Sequence, residues 1–207
     1  MNNVTINLDN LSETDRATVL GIAEKTNAPK EVRYPGIKDG ETFWIDDTEF
    51  IKFPDVGGYT PVMEREVAFT SRFGDNNDLR ASDVLKRMVS ERLPKIIAAI
   101  GEENVCTFET DLTTLDGLKP YGVMKSKVSL HTLDFYRANV EIFDKYQVDS
   151  VCWTATPESA QPHDSPYWVV CVSPSGFINY HYYFLSDILG VRPFYILKSS
   201  IFESSEG

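Results

Sequence analysis

The sequence predicts an α+β domain in which strands near both ends of the chain enclose a helical middle. Runs rich in β-branched and aromatic residues, bounded by Gly, Pro and Asp turns, occupy residues 40–69 and recur from residue 150 onward. Between them, apolar residues recur at helical spacing in residues 81–100 and 132–146. The length of 207 residues suits one domain with a small appendage.

Composition narrows the classes of partner. The formal net charge of −11 and the pI near 4.7 oppose binding to nucleic acid or an anionic membrane, because affinity for polyanions comes from Lys and Arg. Cys106, Cys152 and Cys171 lack the spacing of a metal site, which predicts reduced, mostly buried thiols. We therefore expect no cofactor and no metal, and neither nucleic acid nor a membrane as partner.

The first residues predict an appendage. No positively charged start leads into an apolar run, so we expect no signal peptide and synthesis in a cytoplasm. Ser12 begins a capping-box-like helix over residues 13–25, whose thin apolar stripe needs a partner on the main domain or on another subunit of a homo-oligomer. Residues 27–38 are interpreted as a linker, giving an N-terminal segment at 1–38 and a domain at 39–207.

The next elements alternate between strands and turns. Residues 40–53 predict a β-hairpin whose arms flank Asp46 and Asp47, and residues 62–69 predict a further strand. A polar loop at 73–78 precedes a helix over 81–93, and Pro94 opens a second short helix that Gly101 ends. Residues 112–118 form a turn-rich connector, 128–130 a short strand, and 132–146 a third helix.

The C-terminal region combines a rigid scaffold with a polar and aromatic surface. We predict strands at 150–157 and 168–172, a tight turn at 173–176, and further strands to the end. Gly176 supplies the positive φ of the turn, and Gly190 lets the chain turn back into a strand. Arg192 can tie loops together through carbonyl or carboxylate groups, Pro193 suits an edge position, and Trp153 is expected beneath the loops as packing.

Several short motifs resemble a domain of uncharacterised function found in bacterial and prophage proteins. The matching stretches within residues 40–202 are GETF at 40–43 leading into EFI at 49–51, WTATP at 153–157, VSPSG at 172–176 and GVRPF at 190–194. Such domains look like the C-type-lectin fold, the group that includes formylglycine-generating enzymes and the variable proteins of diversity-generating retroelements. The resemblance implies a C-type-lectin-like domain at 39–207, a phage or prophage origin, and synthesis in a bacterial cytoplasm with the virion as a further destination.

The candidate ligand-binding residues lie on either side of the 168–172 strand. Tyr gives a large amphipathic contact area at low rotamer cost, and Asn, Ser and His add adaptable hydrogen bonds. Strand alternation is expected to send about half of these side chains inward. The predicted binding residues are His163, Asp164, Ser165, Tyr167, Trp168, Asn179, Tyr180, His181, Tyr182, Tyr183, Ser186 and Asp187.

Three sharper hypotheses have weaker support. Every residue from 177 to 189 is reachable by the adenine mutagenesis of the retroelement-diversified relatives, but a run of this length also arises by chance with a probability of about 0.1. A calcium-dependent sugar site would need more than the Gln161-Pro162-His163-Asp164 stretch offers. Enzyme activity would need a reactive cysteine pair, whereas Cys152 and Cys171 lie in apolar strands.

The sequence therefore predicts a non-enzymatic binding protein of a phage or prophage that recognises a host or cell-surface protein or glycan. The alternative is an intracellular phage accessory protein that inhibits a host defence protein, using its acidic surface to bind a basic partner. A structural component of the virion is a third reading.

Overall fold

The computed structural model describes residues 33–160, 167–184 and 189–204. The α+β class is confirmed. The strands are β1 Thr42–Ile45, β2 Thr48–Lys52, β3 Tyr59–Glu64, β4 Phe69–Thr70, β5 Phe108–Asp111, β6 Val123–Ser126, β7 Cys152–Pro157, β8 Trp168–Val172, β9 Ile178–Tyr182, β10 Gly190–Val191 and β11 Phe194–Lys198. The α-helices are α1 Asp83–Arg87, α2 Leu93–Ile100, α3 Leu133–Ala138 and α4 Val140–Lys145, with 3-10 turns at Leu79–Ala81, Glu102–Asn104 and Ser199–Ile201.

The strands form two larger sheets and one hairpin. The first sheet has the order β1-β2-β3-β11, so an early strand, β3, pairs antiparallel with the last strand. The second has the order β4-β10-β7-β8-β9, and β5 pairs with β6 separately. The predicted strand at 128–130 is wrong except for a single bridge between Ser129 and Phe194, and the β5–β6 hairpin was not predicted.

The first sheet is covered on both faces. Because side chains alternate along a strand, Phe50 and Val62 contribute to one hydrophobic cluster with Ile96 and Ile100 of α2. Their neighbours Ile51 and Met63 point into a second cluster, together with Leu133 of α3 and Phe143 of α4. This double burial explains why β2 and β3 are apolar at consecutive positions.

The N-terminal hairpin and the middle helix refine the sequence predictions. The predicted hairpin is confirmed, with Asp46 at φ 49° in its tight turn. The two helices predicted on either side of Pro94 are one continuous helical run, because a π-helical segment, Met88–Arg92, joins α1 to α2. The wider π turn accommodates the missing N–H of Pro94, and Gly101 ends the run at φ 85°.

The third predicted helix is divided, and the first predicted segment is only partly described. Asn139, at φ −127°, separates α3 from α4.

The helix at 13–25 and most of the linker lie outside the described residues. Tyr34, in the described part of that linker, donates its backbone N–H to the carbonyl of Ile201 and packs against Phe43 and Phe202.

Gly190 has a role different from the turn that was predicted. Its φ is not in the left-handed region, but a Cβ there would lie 2.9 Å from Val67 Cγ2 and 3.0 Å from both Cys152 Sγ and Ser150 Oγ. The residue is therefore required for close packing of β10 against the segment before β4 and against the start of β7. It brings the short β10 into the second sheet.

Replacement of Gly190 by Ala is expected to lower the free energy of unfolding by about 1–3 kcal/mol, because the added methyl group overpacks this junction. Denaturant unfolding of the wild type, Gly190→Ala and the Val67→Ala/Gly190→Ala double variant measures the effect. Trimming Val67 should return part of the loss. Equal stability of Gly190→Ala and the wild type would contradict the packing role.

Candidate binding surface

The β8–β9 hairpin is fixed at its turn. Gly176, at φ 78°, donates its backbone N–H to the Ser173 carbonyl, and Ser173 donates to the carbonyl of Phe177, both at 2.9 Å. The phenol of Tyr136 in α3 donates to the Gly176 carbonyl at 3.0 Å. The predicted tight turn is thus confirmed, and the hydrogen bond from Tyr136 holds the turn against α3.

The other end of the hairpin is tied to the loop before α1. Tyr183 donates its backbone N–H to the Tyr167 carbonyl at 3.0 Å, and its own carbonyl accepts from Phe73 at 2.9 Å. Buried Asn77 donates to the carbonyls of Ser159 and Trp168, while its side-chain oxygen accepts from the Tyr121 phenol. Sequence reasoning missed Asn77, because a single amide in a polar loop carries no periodic signal.

β9 is the terminal strand of its sheet, and its side chains are open to water. Within the described residues, no strand pairs with its outer edge. All five residues of Ile178–Tyr182 are exposed or half-buried. Strand alternation therefore does not bury half of the β9 side chains, as was expected. β8 lies between two strands and its central residues are buried, whereas β9 lies at the end of the sheet.

One face of the hairpin carries four aromatic rings in mutual contact, which we call the aromatic surface: Trp168, Tyr180, Tyr182 and Phe184. Trp168 and Tyr182 are cross-strand partners whose rings stack with centroids 3.8 Å apart. Tyr180 meets Trp168 edge-on at 4.9 Å, and Phe184 stacks on Tyr182 at 5.1 Å. Such contacts contribute about 0.5–1.5 kcal/mol per pair beyond area burial, and they fix the rings before any ligand arrives.

These rings remain available for contact. Tyr180 is 46% exposed and Phe184 is 51% exposed, while Trp168 and Tyr182 are half-buried by their neighbours. Phe177, at the turn, is 73% exposed. A run of large apolar rings in water is unfavourable unless it serves an interface, so this exposure marks a candidate binding surface.

The segment that carries the aromatic surface contains no formally charged residue, although the protein is strongly acidic. Residues 167–184 contain no Asp, Glu, Lys or Arg, against a net charge of −11 for the chain. They include seven aromatic residues: Tyr167, Trp168, Phe177, Tyr180, Tyr182, Tyr183 and Phe184. Depletion of charge with enrichment of Tyr, Trp and Phe is the composition of the buried centre of a protein–protein interface.

The remaining predicted binding residues are distributed differently. Asn179 and His181 lie on the opposite face of β9, and the Asn179 side-chain oxygen accepts from the Tyr180 backbone N–H at 2.8 Å. Tyr183 packs against the main core, and Tyr167 is exposed with its ring 6.2 Å from that of Tyr183. The other predicted members lie outside the described residues: His163, Asp164, Ser165, Ser186 and Asp187.

The scaffold residues behind the hairpin are buried. The indole N–H of Trp153 donates to the Ser71 carbonyl at 2.8 Å, and its ring meets Phe73 edge-on, which confirms its packing role. Arg192 donates from Nε to the Glu64 carbonyl at 3.1 Å.

The cysteine thiols of β7 and β8 are protonated. Burial raises the pKa of the Cys152 thiol to about 11 and that of Cys171 to about 12, so both are protonated at neutral pH. Protonated thiols are poor nucleophiles.

His131 is a buried imidazole between the scaffold and α4. Its ring centroid lies 4.8 Å from that of Phe143. Burial, with the positive charge of Arg192 as a second cause, lowers the pKa of His131 from 6.5 to about 3. Because the folded state binds this proton less readily than the unfolded chain, the resulting stability is complete above about pH 6.5 and is lost as the pH falls toward 3.

Replacement of His131 by Phe should therefore flatten the pH dependence of stability. Between about pH 6 and pH 4 the free energy of unfolding of the wild type should fall faster than that of His131→Phe, by up to about 1.4 kcal/mol per pH unit. Urea titrations at several pH values in buffers without small carboxylates measure the difference. Identical slopes for the wild type and His131→Phe would contradict a neutral buried His131.

Comparison with known proteins gives no further constraint. Neither the scan against protein-family models nor the searches of curated proteins and of solved structures found a match. Within the described ranges, no helix is long and apolar enough to span a membrane, and no group of three or more His, Cys, Asp and Glu side chains is arranged to hold a metal ion.

Proposed function

We propose that this chain is a non-enzymatic binding protein that recognises a protein partner through the aromatic surface. The observation that carries the proposal is the contact network of Trp168, Tyr180, Tyr182 and Phe184 in a stretch without charged residues on an otherwise acidic protein. Aromatic side chains of this kind contribute most of the binding energy in protein interfaces. Pre-formed ring contacts lower the entropy that is lost on binding.

The proposed fold is C-type-lectin-like, and the proposed origin is a phage or prophage whose protein meets a host or cell-surface partner. The motifs of residues 153–157, 172–176 and 190–194 support it, as does the pairing of β11 with β3, which brings a late strand beside an early one. In this reading the β8–β9 hairpin is the recognition element, and Trp153, Gly176, Gly190 and Arg192 are its scaffold.

Binding through an uncharged aromatic surface differs measurably from binding through the acidic surface. An interface formed by the aromatic surface should show little dependence on salt between about 50 and 500 mM, since screening acts on charged pairs. An inhibitor that holds a basic host protein by its acidic residues should dissociate in the same range. The salt dependence of the complex therefore separates the two functions.

Hydrogen exchange tests the proposed surface. A partner is first captured from host lysate and from host surface fractions, purified, and mixed with this protein. Amide exchange is then compared with and without the partner. We expect slower exchange in residues 167–184 and unchanged exchange in the β1–β2 hairpin; protection confined to β1–β2 would overturn the proposal.

A further inference from the structure

A small cavity lies where the ends of β7 and β8 meet α3 and α4. Its volume is about 30 Å³, and its lining includes His131, Tyr136, Cys152 and Arg192 together with the turn after β8. One water molecule needs about 10–15 Å³ by the same measure, so the space accommodates two waters or a small ion. Asp144, an exposed residue, forms part of its rim.

Two buried side chains that line this cavity carry polar atoms without hydrogen-bond partners. His131 is 3% exposed and Arg192 is 4% exposed. In the described structure, both ring nitrogens of His131 and the Nη2 of Arg192 lack a hydrogen-bond partner. Buried donors without acceptors cost about 1–3 kcal/mol each, and more for charged groups, so an occupant that accepts hydrogen bonds is expected there.

Arg192 has no close counter-charge among the described residues, and Glu66 is the carboxylate that acts on it electrostatically from beyond salt-bridge distance. The one recorded hydrogen bond of Arg192 goes to the Glu64 backbone carbonyl, and among the described residues no carboxylate forms a salt bridge with it. Burial lowers the pKa of its guanidinium to about 10, which still leaves the group protonated at neutral pH. A buried cation is normally paired, and because Arg192 lines the cavity, an anion held there can pair with it.

The surroundings restrict the anion. Planar carboxylates match the guanidinium N–H groups, and a neutral imidazole offers one further N–H donor. The Asp144 carboxylate at the rim repels negative charge, which disfavours dianions such as phosphate or sulfate. We propose that the His131–Arg192 cavity binds a single carboxylate group, carried by a small free acid or by the C-terminus of a peptide.

Calorimetric titration of the whole protein with sodium acetate at constant ionic strength tests this site. We expect binding with a Kd between about 0.1 and 10 mM, and none with acetamide, the neutral molecule of the same shape. Diglycine and its C-terminal amide form the second arm. Binding of diglycine but not of the amide assigns the site to a peptide terminus, and binding of acetate alone assigns it to a free acid.

Variants place the binding in the cavity. His131→Phe and Arg192→Met should each weaken acetate binding at least about tenfold, since each removes a donor. Arg137→Met removes an exposed positive charge elsewhere and should leave the Kd unchanged. If Arg192→Met does not fold, His131→Phe alone decides. Absence of acetate binding to the wild type, which means that the cavity holds only water, or an unchanged Kd in His131→Phe would overturn the proposal.

Discussion

Simultaneous replacement of Trp168, Tyr180 and Tyr182 by Ala is expected to weaken binding of the protein partner by about 100-fold or more. Interface hot spots are enriched in Trp and Tyr and cost at least about 2 kcal/mol each when truncated, although the losses are not additive. These three rings contact one another, so removing all of them eliminates the centre of the aromatic surface. Surface plasmon resonance with the purified partner measures the loss.

The matched control is the double variant Trp44→Ala/Tyr59→Ala. These rings are 59% and 51% exposed but belong to the first sheet, away from β9 in the strand order. Replacing both rings should change the Kd for the partner by less than about threefold. Far-ultraviolet circular dichroism must show that both variants fold, and loss of binding in the control with retention in the triple variant would reject the aromatic surface.

The largest expected effect on stability comes from Glu64, a buried carboxylate. It accepts from Nε and Nη2 of Arg92 at 3.0 and 2.6 Å and from the Tyr195 phenol at 3.1 Å. Burial raises the pKa of the Glu64 carboxyl, and these hydrogen bonds offset only part of that effect. The cluster ties β3 and β11 to the helical segment that carries Arg92.

Glu64→Gln should lower the free energy of unfolding by about 3 kcal/mol, because it leaves the largely buried Arg92 without its counter-charge. Denaturant unfolding measures the change. The Glu64→Gln/Arg92→Met double variant should lose less than the sum of the two single variants, since it removes both charges. Glu91→Gln, which breaks the exposed pair with Arg87, is the control and should cost less than about 0.5 kcal/mol. A similar loss in Glu91→Gln would contradict the special role of Glu64.

The elements with strong local signals could be predicted from the sequence. The β1–β2 hairpin and β8 follow from β-rich runs beside short turns, and Gly176 from the positive φ that such a turn requires. The β5–β6 hairpin lacked such a signal. Pairing between Phe108–Asp111 and Val123–Ser126 spans a connector whose turns give no indication of what they join.

The candidate surface could be predicted as a region but not as a face. Composition indicated the stretch around β8 and β9, whereas the choice of Trp168, Tyr180 and Tyr182 over Asn179 and His181 depends on cross-strand register. The exposure of β9 depends on its position at the end of the sheet, which is a property of topology. The same holds for His131 and Arg192, which are 61 residues apart in the numbering and line one cavity.

Site-specific photo-crosslinking tests the central claim most directly. Tyr180 or, as the matched control, Tyr59 is replaced by p-benzoylphenylalanine, so that an exposed aromatic side chain becomes a reporter of contact at each position. After irradiation of the complex, mass spectrometry detects covalent attachment to the partner. The aromatic surface predicts crosslinks from position 180 and none from position 59. Crosslinks from position 59 alone would contradict it.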